Sequence, residues 1–150
     1  MDIRPYTPAD LPGVLRLCNL EGWEWLQADP ARANKALTAP GVTTMVAVEG
    51  GALVGFAQLQ SDGEVQAHLS QIAVEPAHRR KGVARELIVQ ALRAAGGVRI
   101  DLIANEGAED FYRALPHFRR EGFRLYPEYS GPDQYRPEII WRSGRAALAG

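Results

Sequence analysis

Arg79-Arg80-Lys81-Gly82 places three consecutive cations directly before a glycine that opens an amphipathic run. The first N–H groups of a helix have no intrahelical acceptor and sit at the positive end of its dipole. A glycine there lets an anion approach the main chain closely, so the stretch has the chemistry of a diphosphate cradle. A solvated basic turn is the plain alternative. Other phosphate-binding patterns are missing: there is no Gly-x-x-x-x-Gly-Lys-Ser/Thr loop and no Gly-x-Gly-x-x-Gly after a strand, which removes the usual support for triphosphate hydrolysis and dinucleotide redox chemistry. The three histidines, His68, His78 and His117, lack ligand spacing, and one cysteine, Cys18, allows neither an intramolecular disulfide nor a thiolate zinc site. No metal is therefore expected. Cys18 falls at helical spacing with Leu11, Val14 and Leu15 and is read as core rather than as a nucleophile.

A chain of 150 residues, 46% hydrophobic and 23% charged, is expected to form a single domain over 1–150. Its 17 Lys and Arg against 18 Asp and Glu leave a net charge of −1, which gives no global attraction for nucleic acid or anionic lipid. The first ten residues lack the basic and apolar regions of a signal peptide, and no apolar run is long enough to span a bilayer. The expected location is cytoplasmic, with no membrane and no nucleic-acid partner.

The elements that must position the basic loop are legible as patterns. Ile3–Tyr6 reads as a strand, Thr7-Pro8-Ala9-Asp10 as the start of a helix, and Asp29-Pro30 as the start of a second that runs to Leu37. Val42–Val48 and Ala52–Gln60 read as a hairpin around Glu49-Gly50-Gly51, and Glu64–Val74 as the next strand after the Ser61-Asp62-Gly63 turn. Val83, Ala84, Leu87, Ile88, Ala91, Leu92 and Ala95 mark one face of a helix ended by Gly96-Gly97. Val98–Ala104 reads as a strand covered on both faces, parallel to Glu64–Val74 if they share a sheet. A helical stretch from Gly107 to about Glu121 and closing strands at Phe123–Tyr126 and Tyr135–Trp141 complete a mixed α/β fold.

Arg79-x-x-Gly82-x-Ala84, preceded by Ile72-Ala73-Val74-x-Pro76 and followed by Asn105-x-x-Ala108-x-x-Phe111-Tyr112, resembles the acetyl-CoA segments of the GCN5-related N-acetyltransferase (GNAT) superfamily. The resemblance covers nearly all of Val42 to Phe123. It implies a central mixed sheet, splayed between its fourth and fifth strands and flanked by helices on both faces, with CoA in the gap. It assigns the pyrophosphate to the main chain of Arg79, Arg80, Lys81, Gly82, Val83 and Ala84. It gives the pantetheine arm to the Ile72-Ala73-Val74 strand end and Asn105. Tyr112 stands where many members keep a tyrosine that protonates the leaving thiolate; an aromatic packed on the sheet is the other reading. Nine residues separate Tyr112 from Gly122-Phe123, so a register with Phe118 at that position also stands.

An ammonium acceptor must lose a proton before it can attack, and imidazole is the side chain that takes one up at neutral pH. His68-Leu69-Ser70-Gln71-Ile72-Ala73-Val74 looks like the run of arylalkylamine N-acetyltransferases in which two histidines line the channel, with His68 at the first position and Ser70 at the second. Glu64 is the alternative base, and a locally bonded strand histidine the alternative role for His68. His78 is read as a loop residue beside the phosphates and His117 as a surface helix residue. The resemblance places Trp23 and Trp25, with Glu21, Glu24 and the tyrosines 126, 129 and 135, on the acceptor side, where ring faces and carboxylates would attract a cation; packing anchors are the alternative for the tryptophans. The resemblance thus implies an N-acetyltransferase acting on a primary amine, a small molecule before a protein lysine, by direct attack in a ternary complex. A catalytically silent acyl-CoA sensor is the rival, and monomer and homodimer are both open.

Overall fold

The computed structural model describes residues 1–125, apart from the side chains of Glu24 and Trp25. The chain divides into two compact units, Met1–Leu102 and Ile103–Gly150. The first holds a five-stranded sheet in the order β1-β2-β3-β4-β5. Its strands are β1 (Asp2–Pro5), β2 (Val42–Glu49), β3 (Ala52–Ser61), β4 (Gln66–Val74) and β5 (Arg99–Asp101). The first four pair antiparallel in succession, and β4 pairs parallel with β5. Seven consecutive residues of β3, Leu53–Leu59, are buried, which a strand achieves only with both faces covered.

Three helices belong to this unit: α1 (Leu11–Leu20), α2 (Pro30–Leu37) and α3 (Val83–Ala95). Each begins where local chemistry directs. The Asp10 carboxylate accepts the Thr7 N–H at 2.8 Å, and a 3-10 turn over Pro8–Asp10 leads into α1. The Asp29 carboxylate accepts the Arg32 N–H at 3.0 Å ahead of Pro30, the cap and proline expected at the start of α2. In α1 the buried face is Val14, Leu17 and Cys18; Leu11 and Leu15, expected in the core, are half-buried. In α3 it is Val83, Leu87 and Ala91, four apart along the expected stripe. Three hydrogen bonds seat α2 on the sheet: Gln58 Nε2 to the Ala36 carbonyl (2.9 Å), Thr44 Oγ1 to the Leu37 carbonyl (2.8 Å) and the Tyr6 hydroxyl to Asn34 Oδ1 (2.7 Å).

Several boundaries differ from the sequence reading. β4 starts at Gln66, not Glu64, because the Asp62 carboxylate takes up the N–H groups of Glu64 and Val65 at 2.8 Å and of Gln66 at 3.2 Å. The expected strand Val98–Ala104 is only Arg99–Asp101, and Val98 is 78% exposed rather than covered. The second unit carries one described helix, α4 (Glu109–Arg113), in place of the stretch to Glu121. The ring of Pro116 disfavours helical geometry at Leu115, and the chain turns at Ala114. His117 therefore lies beyond the helix, its Nδ1 2.8 Å from the Leu115 carbonyl. Phe123–Leu125 are not a strand, while Tyr126, the Tyr135–Trp141 segment and Tyr129 lie outside the described residues.

Candidate active site

β4 and β5 are paired only over Gln66–His68, opposite Arg99–Asp101. From Leu69 to Val74, β4 continues without a β5 partner, so the parallel pair opens toward its C-terminal end. Gln66 closes the paired end: its Nε2 donates to Asp101 Oδ2 at 2.7 Å and its Oε1 accepts from Arg99 at 2.8 Å. Ile72, Ala73 and Val74 lie on the open stretch and end it. Ser70 sits at a bulge, since Leu59 pairs with Leu69 and Gln58 with Gln71. Its Oγ is buried and has no hydrogen-bond partner among the described residues.

Beyond Val74 the chain makes a 3-10 turn over Pro76–His78 and reaches α3 through Arg79 to Gly82. Arg80 adopts a φ of +60° and Gly82 one of +84°. A Cβ on Gly82 would meet nothing within 4 Å, so the space beside it is open. The intrahelical ladder begins with the Glu86 N–H on the Gly82 carbonyl at 3.0 Å, leaving the earlier N–H groups of α3 at a helix terminus without such acceptors. The residues present therefore fit a diphosphate. Arg80 and Lys81 are exposed there. Arg79 differs: its Nε donates to the Val74 carbonyl at 2.9 Å and its guanidinium pairs with Glu21. His78 also turns back into the protein, with Nε2 2.9 Å from Glu49 and Nδ1 3.4 Å from Glu75.

At the paired end of β4, His68 lines a cavity of about 640 Å³. The walls are Ala39, Pro40, Gly41 and Val42 after α2, Gln60, Ser61 and Asp62 at the end of β3, and Gln66 beside His68. The Asp62 carboxyl is held below the usual carboxylate range, first by the Val65 N–H and then by that of Glu64. It thus keeps an anion at the cavity wall. Sequence reading took Ser61-Asp62-Gly63 only as a turn and missed Gln60, Asp62 and Gln66; the hairpin offset that sets Asp62 near His68 was the available signal. Trp23 does not line this cavity and neither does Glu64.

In the second unit, Asn105 caps a turn by accepting the Ala108 N–H at 3.0 Å. Tyr112 lies on α4 with its ring edge-on to Phe111, centroids 5.0 Å apart, and burial pushes its phenol above the ordinary value. Phe118 lies outside the helix and is 93% exposed. Cys18 is fully buried, and burial followed by the charge of Glu21 pushes its thiol up to about 12. No group of three or more His, Cys, Asp or Glu that could hold a metal occurs among the described residues. No described helix is long and apolar enough to cross a membrane.

Residues 11–118 match the Acetyltransferase (GNAT) family. The chain is 34% identical over 116 residues to N-alpha-acetyltransferase RimI of Mycobacterium tuberculosis, covering 71% of each. Among solved structures it is similar to an aminoglycoside acetyltransferase, AAC(6')-Iy, in complex with a CoA-based bisubstrate analogue (TM-score 0.70, 22% identity, 86% of this chain and 98% of that one). It is also similar to a ribosomal-protein-alanine N-acetyltransferase of Brucella melitensis (TM-score 0.67, 20% identity, 83% and 96%). These two likenesses show the fold.

Proposed function

Because the chain belongs to the GNAT acetyltransferase family, and so is an acetyl-CoA-dependent N-acetyltransferase, we propose that it acetylates a primary amine of a small, polar, cationic molecule. The observation that carries this reading is the cavity of about 640 Å³ that His68 and Asp62 both line. Its volume is in the range of small-ligand pockets. β4 runs from that cavity to the loop before α3, so one strand carries both the acceptor end and the cofactor end.

Acetyl-CoA supplies an activated thioester carbonyl and a thiolate leaving group. The main chain of Arg79 to Ala84 holds its pyrophosphate at the α3 terminus, with the charges of Arg80 and Lys81 beside it. Ile72 and Val74 hold the pantetheine arm; for Asn105 the same role rests on the family resemblance alone. Ala73 contributes packing there, since its side chain is buried. Asp62 attracts the ammonium group. His68 takes one proton from it, directly or through a water, which frees the nitrogen lone pair. Tyr112, kept protonated by its burial, returns a proton to the thiolate. Ser70, at the bulge, contributes the unpartnered hydroxyl nearest in sequence to His68. Attack is direct: Cys18, buried and held as a thiol, offers no acyl-enzyme route. We place Trp23 and Trp25 on the acceptor side, the whole chain in one acetyltransferase domain, and the enzyme in the cytoplasm.

A thermal melt with acetyl-CoA, CoA, ATP or NAD tests the reading. Ligand at about 100 times its Kd adds roughly 2.7 kcal/mol, which raises Tm by about 5–10 °C in a chain of this size. A shift with acetyl-CoA and CoA alone, in a single transition, supports it and opens an amine screen. A folded sample that shifts with neither removes the cofactor loop. Binding without turnover on any amine points instead to an acyl-CoA sensor.

A further inference from the structure

Of the three cations before α3, only Arg79 is bound back to a partner among the described residues. Its Nε holds the Val74 carbonyl at the end of β4, and its guanidinium pairs with the Glu21 carboxylate. Glu21 caps the C-terminus of α1, its N–H shared between the Leu17 and Cys18 carbonyls at 3.2 Å. Two residues on, the Trp23 N–H donates to the same Cys18 carbonyl at 2.8 Å, and the chain enters the 3-10 turn Glu24–Ala28. A second ion pair of opposite polarity lies earlier on α1: Arg16 donates to Glu75 at 2.9 Å and to the Leu53 carbonyl at 2.7 Å. Glu75 and Arg79 flank the 3-10 turn Pro76–His78, so α1 and its cap hold both ends of that turn, the second of which opens the cofactor loop.

Resting on the acetyl-CoA reading of this loop, we infer that Arg79 and Glu21 are a positioning pair: the Arg79 side chain is not a phosphate ligand but ties the cofactor loop to the segment that begins at Glu21 and contains Trp23. Both partners are partly solvent-exposed, 48% and 29% at the side chain, and such pairs add little to stability. What the pair fixes is geometry. A fork held at Nε by the strand end and at its tip by α1 has one orientation, and the loop main chain is set by it. Cofactor bound at Arg80 to Ala84 then bears on the Trp23 segment through the same guanidinium.

Tryptophan occurs three times, so Trp25→Phe with Trp141→Phe leaves Trp23 as the sole emitter. In that background CoA is titrated while Trp23 emission is followed, and its affinity is measured separately by calorimetry. CoA should change the emission of the parent. Glu21→Gln and Arg79→Gln should each abolish the change, raise the CoA Kd by about fivefold or less, and be no worse combined than singly. Arg79→Gln weakening CoA by about tenfold or more, with Glu21→Gln binding like the parent, would make Arg79 a phosphate ligand and overturn the inference. Saturating CoA binding with no emission change in the parent would equally overturn it, while leaving the function intact. No heat of binding in the folded parent would remove the function and the inference together. Glu21→Gln is nearly isosteric, and unchanged melting of each variant separates a lost tie from a lost fold.

Discussion

His68 and Cys18 are two side chains whose neighbourhoods give them opposite fates. His68 is exposed on a cavity wall, within the same lining as the Asp62 anion. His68→Ala should lower kcat by about 100-fold or more, the usual range for a lost general base. It should also flatten the acid limb of the kcat/KM profile measured with the amine found by screening. An unaltered profile would assign the proton to another group. Cys18 is sealed in the core, and its prediction concerns stability. The unfolded thiol ionises near 9.0, the folded one at about 12, so between those values the native state holds a proton that the unfolded state has lost. Stability from this group is complete below pH 9 and drains away as pH rises toward 12. Cys18→Ala should therefore leave activity unchanged and make the alkaline fall in urea midpoints shallower than in the parent. Equal slopes would mean that the thiol ionises without unfolding. The helical spacing of Cys18 already placed it in the core, whereas nothing in the order Arg79-Arg80-Lys81 distinguished the cation that pairs with Glu21 from the two beside it. That distinction depends on a residue 58 positions away.

Two glycines at the ends of α3 set the site from opposite sides. Gly82 needs its φ of +84° but has open space beside it, so Gly82→Ala should cost about 1–2 kcal/mol of backbone strain and weaken CoA binding measured by calorimetry. Gly96 is a tighter case: its added Cβ would lie 2.4 Å from the Gly63 carbonyl oxygen. The same contact region holds Ser61 Oγ on the Gly96 carbonyl at 3.0 Å, so Gly96→Ala must displace the turn that presents Asp62. Its signature should be a loss of acceptor kcat/KM greater than the loss of CoA affinity; equal losses would mean that the turn stays in place. Both glycines were readable as helix ends, because α3 has a long stripe and clean termini. The shorter elements were not. Val98–Ala104 is apolar enough to read as a covered strand, yet β4 pairs with it only over Arg99–Asp101, whose two end residues the Gln66 side chain bonds, and the strand ends there. The stretch to Glu121 has helical composition, but five residues of α4 are all that precede the turn ahead of Pro116. Caps and periodicity speak for long elements, while short ones depend on partners that are distant in sequence.

At the scale of the whole molecule, a net charge of −1 means that no general field draws an anionic cofactor in. Composition made this plain, but it could not show how few of the loop's charges remain available. Glu21 neutralises Arg79, and His78 sits between Glu49 and Glu75, which leaves Arg80 and Lys81 as the cations before α3 with no ion-pair partner among the described residues. On the proposed reading, attraction for the phosphates is local, made of two side-chain charges and the fixed partial charge of the helix terminus. Exposed charges are screened over about 10 Å at 0.1 M salt, whereas main-chain N–H groups in contact with a ligand are screened much less. CoA affinity should accordingly weaken by about fivefold between roughly 0.05 and 0.5 M salt, and then level off at a value set by the main chain. Arg80→Gln with Lys81→Gln should remove most of that slope while leaving binding measurable at high salt. The same titration on Arg79→Gln should keep the parent's slope, because that charge is already paired. A double variant with an undiminished slope would show that the phosphates rest on cations elsewhere in the chain, and the helix terminus would lose its role.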